Sequence, residues 1–210
     1  MPVEVIKIAL DNIDHDKLRE IGERVKEGEI VVYPKDTAYA IGGDPWNPHV
    51  IDKILEIKRR DWTIGMSVLI ADPSIAQEFG EMPPVGKRIA YMYWPGQVTI
   101  VIPKHSTVPE KLSGKNDSIA LRMPFDYVAL RLLKYAGGAL IGTSANLNKQ
   151  VPPCTAAGVR AQLGDCFDIL IDSGPSLLGK PSTIISVWND GSVEILREGA
   201  VPAADIFENI

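Results

Sequence analysis

Cysteine, histidine and surplus basic charge are all scarce in this chain, and each shortage removes a class of function. The two cysteines, Cys154 and Cys166, form no C-x-x-C pair. That argues against a disulfide scaffold or a structural zinc site, and for reduced thiols in a cytoplasmic protein. The three histidines, His15, His49 and His105, are scattered, so no metal cage is expected from protein side chains. Twenty-two basic against twenty-seven acidic residues leave a net charge of -5, which disfavours general nucleic-acid coating. An acidic protein can still focus cations inside one cleft. No apolar run approaches the roughly 20 residues of a membrane span, and the N-terminus lacks a charged-then-apolar secretory pattern. Internal repeats, low-complexity stretches and linkers are absent too. What is there is a 210-residue chain, 45% hydrophobic, sufficient for one core and read as a single domain over residues 1–210.

The pattern of elements is mixed. Residues 3–9 suggest a first strand. Asp14 suits a helix N-cap ahead of Leu18, Ile21 and Val25, with Gly28 as the stop. Residues 30–33 and 38–43 read as strands. Asn47-Pro48 opens a helix carrying Val50, Ile54 and Ile57 on one face. Further strands are expected at 66–71, 97–102, 118–123, 139–143, 169–172, 183–188 and 192–196. Helices are expected at 73–79, 85–93 and 126–135, a short one or a turn at 108–112, and one at 155–163 capped by Thr155. Asn189-Asp190-Gly191 signals a hairpin, and the tail from Val201 is expected to cap an edge. The fold class is therefore α/β with a mixed sheet.

Two stretches carry the candidate chemistry. One is Tyr33-Pro34-Lys35-Asp36-Thr37, running on to Gly42-Gly43. Asp36-Thr37 suits an ordinary Asx-type turn, or a pocket in which the Thr37 hydroxyl meets a ligand. The other is Lys58-Arg59-Arg60 at a helix end. Cations there complement the helix dipole and simply face water, or they converge on a polyphosphate. Gly142-Thr143-Ser144-Ala145-Asn146 half-matches a nucleophile elbow but lacks the last glycine and a histidine partner. Ser144 and Asn146 therefore serve better as neutral hydrogen-bonding groups. Gly174 to Lys180 nearly spells a P-loop, yet Pro181 and a β-branched run follow where a helix N-terminus is required. Arg122 and Arg197 close predicted strands, where ligands of open α/β sheets gather.

These pieces in this order resemble the YrdC-like family of threonylcarbamoyl-AMP synthases. The signposts are Tyr33-Pro34-x-Asp36-Thr37-x-Tyr39-x-Ile41-Gly42, Lys58-x-Arg60, Ser67-Val68-Leu69 and Trp94-Pro95-Gly96-x-x-Thr99. They continue with Ser118-x-Ala120-x-Arg122-x-Pro124, Ser144-Ala145-Asn146-Leu147, Pro181-Ser182-Thr183 and Arg197-x-Gly199, covering about residues 18–200. The resemblance implies a twisted mixed β-sheet with flanking helices around a positively lined concave cavity, in the single-domain form. It also implies synthesis of threonylcarbamoyl-AMP and pyrophosphate from L-threonine, bicarbonate or CO2, and ATP with Mg2+. A downstream transferase would then carry the group to tRNA.

Carried onto this chain, the resemblance makes Lys58 and Arg60 catalytic and phosphate-holding residues. Thr37, Arg122, Ser144 and Ser182 become threonine contacts, while Ser118, Asn146, Thr155 and Arg197 become nucleotide contacts. There are departures. Lys35 stands where a threonine is common, Ala40 replaces a frequent glycine, and Asp61, Ile64 and Gly65 replace a Pro and a Lys- or Asn-Pro pair. Leu69 occupies the place of a histidine in some relatives, and Asn148-Lys149 replaces Ser-Gly. Loops 61–65 and 147–154 are candidate lids. The competing expectations are a YciO-type paralogue acting on another adenylate or on RNA, and a double-stranded-RNA binder with no threonine-dependent turnover.

Overall fold

The computed structural model describes residues 2–176 and 179–209. In chain order its elements are β1 (Glu4–Lys7), α1 (His15–Lys26), β2 (Val31–Tyr33), β3 (Ala40–Gly42), α2 (Pro48–Lys58) and β4 (Val68–Ile70). Next come α3 (Ala76–Phe79), α4 (Pro84–Tyr93), β5 (Val98–Pro103), α5 (Glu110–Ser113), β6 (Ser118–Arg122) and α6 (Tyr127–Tyr135). The chain closes with β7 (Ala139–Ile141), β8 (Thr143–Ser144), α7 (Ala156–Leu163), β9 (Ile169–Asp172), β10 (Thr183–Val187), β11 (Val193–Arg197) and α8 (Ala203–Phe207).

Local chemistry sets the helix starts. Side-chain oxygens of Asp14, Asn47, Asp126 and Thr155 accept from backbone N–H groups of Lys17, His49, Ala129 and Gly158, filling donors that a first turn leaves open. The segment expected as one helix at 73–79 is a 3-10 turn, Pro73–Ile75, running into the single turn α3. The tail folds as α8, whose Ile206 is fully buried in the main core.

The sheet is not one but two. One sheet runs β1-β9-β2-β3-β8 and the other β11-β10-β5-β6-β4-β7. Both are mixed: β1, β9 and β2 are parallel, as are the pairs β10–β5 and β6–β4, and the other pairings are antiparallel. The run 139–143, expected as one strand, is split at Gly142, so that β7 serves the second sheet and β8 the first. A Cβ at Gly142 would stand 2.1 Å from Leu69 Cγ, so only glycine lets the chain cross between sheets there. That crossing delivers Ser144.

Two apolar clusters fill the interior. The larger draws on both sheets and on α2, α4, α7 and α8, including Val32, Ile41, Ile54, Ile89, Ile100, Val159 and Ile206. The smaller joins α1 and α6 through Leu18, Ile21, Val25, Val128, Leu132 and Leu133. Along β6, Ile119 and Leu121 enter the core, while Ser118, Ala120 and Arg122 share the opposite face. No helix among the described residues is long and apolar enough to cross a membrane.

Candidate functional site

A cavity of about 430 Å3 opens where the two sheets approach each other. Its described walls come from the turn after β2 (Lys35, Thr37, Ala38), from Arg60, Gly65 and Ser67 around β4, and from Thr99 and Ala120 on β5 and β6. The crossing at residues 142–144, Val151 and Pro152, and the residues 179–182, Ile184 and Arg197 close it. The described lining includes four cations, Lys35, Arg60, Lys180 and Arg197, and no carboxylate. Hydroxyls of Thr37, Ser67, Thr99, Ser144 and Ser182 supply neutral donors and acceptors.

The sequence-predicted residues divide by what already holds them. Thr37 is 2% exposed, and its Oγ1 accepts from Lys35 Nζ at 3.0 Å and Arg122 Nη1 at 3.2 Å. Arg122 itself stands behind the cavity rather than in its described lining. Its Nη2 donates to both Asp36 oxygens at 2.5 Å and its Nε to Gly96 O at 2.7 Å. The guanidinium is therefore committed to Asp36, which Gln97 Nε2 also reaches at 2.8 Å. Asp36 was expected only as a turn residue. A cation on the β6 face with Ala120 needs a buried acid, and the 34–37 turn is the polar stretch that supplies one.

Lys58 is equally surprising. It is 1% exposed, which removes the picture of a solvated helix end. Its Nζ donates to the carbonyl oxygen of Ser144, to Asn146 O at 2.7 Å and to Asn146 Oδ1 at 3.5 Å. Asn146 completes the tie. Ser144 Oγ donates to its Oδ1 at 2.5 Å, and its Nδ2 donates to Leu147 O and Gln150 O. Burial and the neighbouring Arg60 push the Lys58 amine down to about 7. Its three oxygen acceptors pull the other way by favouring the charged form. Arg59 is exposed, in the left-handed region at φ 49.

Arg60 lines the cavity while its Nε and Nη2 donate to Ile64 O and Gly65 O, shaping the 61–65 loop that departs from the family pattern. Arg197 donates from Nε and Nη2 to Ser182 O, and Ser182 Oγ pairs with Thr99 Oγ1 at 2.8 Å. Burial lowers the affinity of Arg60, Arg122 and Arg197 for their protons. Ser118 begins β6 two residues before Ala120, and Thr155 is an exposed helix cap; the described lining contains neither. Leu69, in the place of a histidine, packs against Gly142. The P-loop-like run 174–180 includes Leu177 and Leu178, which lie outside the described residues. Among the described residues no group of three His, Cys, Asp or Glu side chains is placed to hold a metal ion.

A family model for Sua5, YciO and YrdC proteins, described as "Telomere recombination", matches residues 23–199. The chain belongs to the Sua5/YciO/YrdC family. Within that family it is 34% identical over 179 residues to a protein of Idiomarina loihiensis named threonylcarbamoyl-AMP synthase, covering 84% of this chain and 94% of the relative. A Pyrococcus abyssi protein of the same name is 28% identical over 197 residues, 93% of this chain. The chain spans only 58% of that relative's length. Solved structures agree in fold. P. abyssi Sua5 complexed with L-threonine superposes with a TM-score of 0.93 at 28% identity, over 98% of this chain and 60% of that one. E. coli YciO gives 0.84 at 25% identity, over 95% and 97%.

Proposed function

We propose that this member of the family is an L-threonylcarbamoyladenylate synthase, a nucleotidyltransferase acting in the cytoplasm on L-threonine, bicarbonate or CO2, and Mg·ATP. The observation that carries the reading is the cavity's wall. Four cations in the described lining, which includes no carboxylate, suit a triphosphate and a second anion, and the inner hydroxyls suit a small polar amino acid. The Mg2+ travels with the nucleotide, bound by its phosphates. Relatives named for this activity, and a threonine-bound structure of one family member, support the same reading.

The chemistry balances without an acid–base residue of unusual power. The threonine amine bonds to the carbon of CO2 and loses a proton, giving a carbamate. A carbamate oxygen then bonds to the α-phosphorus as the bond to the β-phosphate oxygen breaks, and pyrophosphate leaves. Positioning and charge neutralisation dominate such transfers. Arg60 and Arg197 face the phosphates, with Lys58 fixing the Ser144–Asn146 turn from behind. Thr37, Ser144 and Ser182 hold the amino acid. Preference for threonine over serine rests on one methyl group, roughly 1–3 kcal/mol. The product passes to a tRNA threonylcarbamoyl transferase.

The test is pyrophosphate release from ATP. It should require both L-threonine and bicarbonate and fall sharply in Arg60→Ala, Lys58→Ala and Ser144→Ala. Threonine-independent turnover, or salt-sensitive binding of double-stranded RNA with no turnover from a folded protein, overturns the reading.

A further inference from the structure

Lys35 is a buried group in this site that the proposed chemistry leaves without a role. Its side chain is 8% exposed and borders the cavity, yet its one recorded hydrogen bond is to Thr37 Oγ1 at 3.0 Å. The adjacent carboxylate gives it no ion pair, because Arg122 takes both Asp36 oxygens. Arg122 in turn has four of its five N–H groups committed to Asp36, Gly96 and Thr37. Among the described residues, then, this buried amine beside the cavity forms no ion pair of its own.

The wiring of Thr37 points the same way. Its hydroxyl has two lone pairs, and Lys35 and Arg122 donate into them. The hydroxyl proton is left over, no acceptor for it is recorded among the described residues, and the cavity lies in front of it. A charged Lys35 therefore makes Thr37 an obligatory donor. An ammonium and an O–H donor, side by side at the inner end, recognise a carboxylate. The more exposed cations, Lys180 and Arg197, stand farther out and suit phosphates.

We propose that Lys35 and the Thr37 hydroxyl form the carboxylate subsite for the amino-acid substrate, and that Lys35 takes up one proton as the carboxylate enters. The proposal rests on the synthase reading above. Without a ligand, burial first, then the charges of Arg122, Arg197 and Lys58, outweigh Asp36 and bring the Lys35 amine down to about 7. Arg60 and Lys180 add further positive charge around the same cavity. The empty site is then largely neutral at Lys35 above that pH. An arriving carboxylate restores the charged form, and the proton comes from the buffer.

Calorimetric titration of the full chain with L-threonine at pH 8, in buffers of different ionisation enthalpy, counts that proton. About one should be taken up per threonine bound. L-threoninol, which lacks the carboxylate, is the paired probe. In Lys35→Thr the uptake should vanish and threonine affinity fall about tenfold or more, while threoninol affinity changes little. Lys35→Arg should restore the preference for threonine without restoring the uptake. Threonine binding with no proton uptake by the wild type, equal losses for both ligands, or a loss confined to inorganic pyrophosphate each overturns the assignment to Lys35. A wild-type protein that binds no L-threonine fails the synthase reading itself.

Discussion

Lys35 and Lys58 are two buried lysines in one site, both depressed to about 7, and they have opposite jobs. Lys58, at the end of α2, has three oxygen acceptors and binds the 144–146 turn to the helix. Lys35, in the turn after β2, has one hydroxyl and open cavity beyond it. Residue type and burial are the same, so the difference lies in partners. A lysine whose donors are spent on backbone carbonyls is a fastener. One with donors to spare beside a cavity is a receptor.

The Lys35 turn stands on the ion pair behind it, so the hardest blow falls there. Asp36→Ala leaves the 2%-exposed Arg122 without its counter-charge, and unfolding free energy should drop by about 3–5 kcal/mol. Urea titration measures this; a loss below about 1 kcal/mol would mean that the acceptors on Gly96 and Thr37 alone suffice for Arg122. The paired substitutions come next. Lys58→Met strips donors from Ser144 O and Asn146 O and should cost about 2–3 kcal/mol as well as activity. Lys35→Met leaves Thr37 still served by Arg122 and should cost less than about 1 kcal/mol, with the damage appearing in threonine binding. Equal stability losses would erase the distinction between fastener and receptor.

How much of this was legible beforehand depends on how local the cause is. Helix starts were readable because Asp14, Asn47, Asp126 and Thr155 act within three residues of themselves. The split at Gly142 was not. An apolar run from Ala139 to Thr143 looks continuous, and the clash that demands glycine comes from Leu69 in another strand. The motif residues were found as a set, and Thr37, Arg60, Ser144, Ser182 and Arg197 do meet around one cavity. Their division into lining and backing residues was hidden. The partners of Lys58 are backbone carbonyls near residue 145, and carbonyls leave no mark in a sequence. Asp36 as the counter-ion of Arg122 required knowing that the 34–37 turn and the end of β6 are neighbours.

The third test uses pH. The Lys35 amine holds its proton up to about 10.5 in an unfolded chain but only to about 7 in the fold. Between those values the unfolded state binds more protons, so wild-type stability should rise with pH relative to Lys35→Met. The slope is at most about 1.4 kcal/mol per pH unit, and it vanishes below pH 7, where both states are charged. Lys58, opposed by its three acceptors, should contribute a shallower slope against Lys58→Met. Thermal or urea unfolding from pH 6 to 9 measures both, and a steeper slope at Lys58 would reverse the assignment of the two roles.

The smallest effect separates Lys58 from its own neighbour. Arg59 follows it at the α2 C-terminus with φ 49 and ψ 44, exposed to solvent. A left-handed residue just past a helix is where glycine is favoured, because a Cβ there crowds the carbonyl. Arg59→Gly removes that crowding, at the expense of a more flexible unfolded chain, and should gain about 0.5 kcal/mol. Pyrophosphate release should stay unchanged, since the Arg59 side chain stands outside the described cavity wall. Three consecutive cations would then give three results: loss of stability and turnover at Lys58, a small gain at Arg59, loss of turnover at Arg60. A loss of turnover in Arg59→Gly would mean that the helix end acts as one cationic patch, and the partner-by-partner distinction between these side chains would fail at its simplest point.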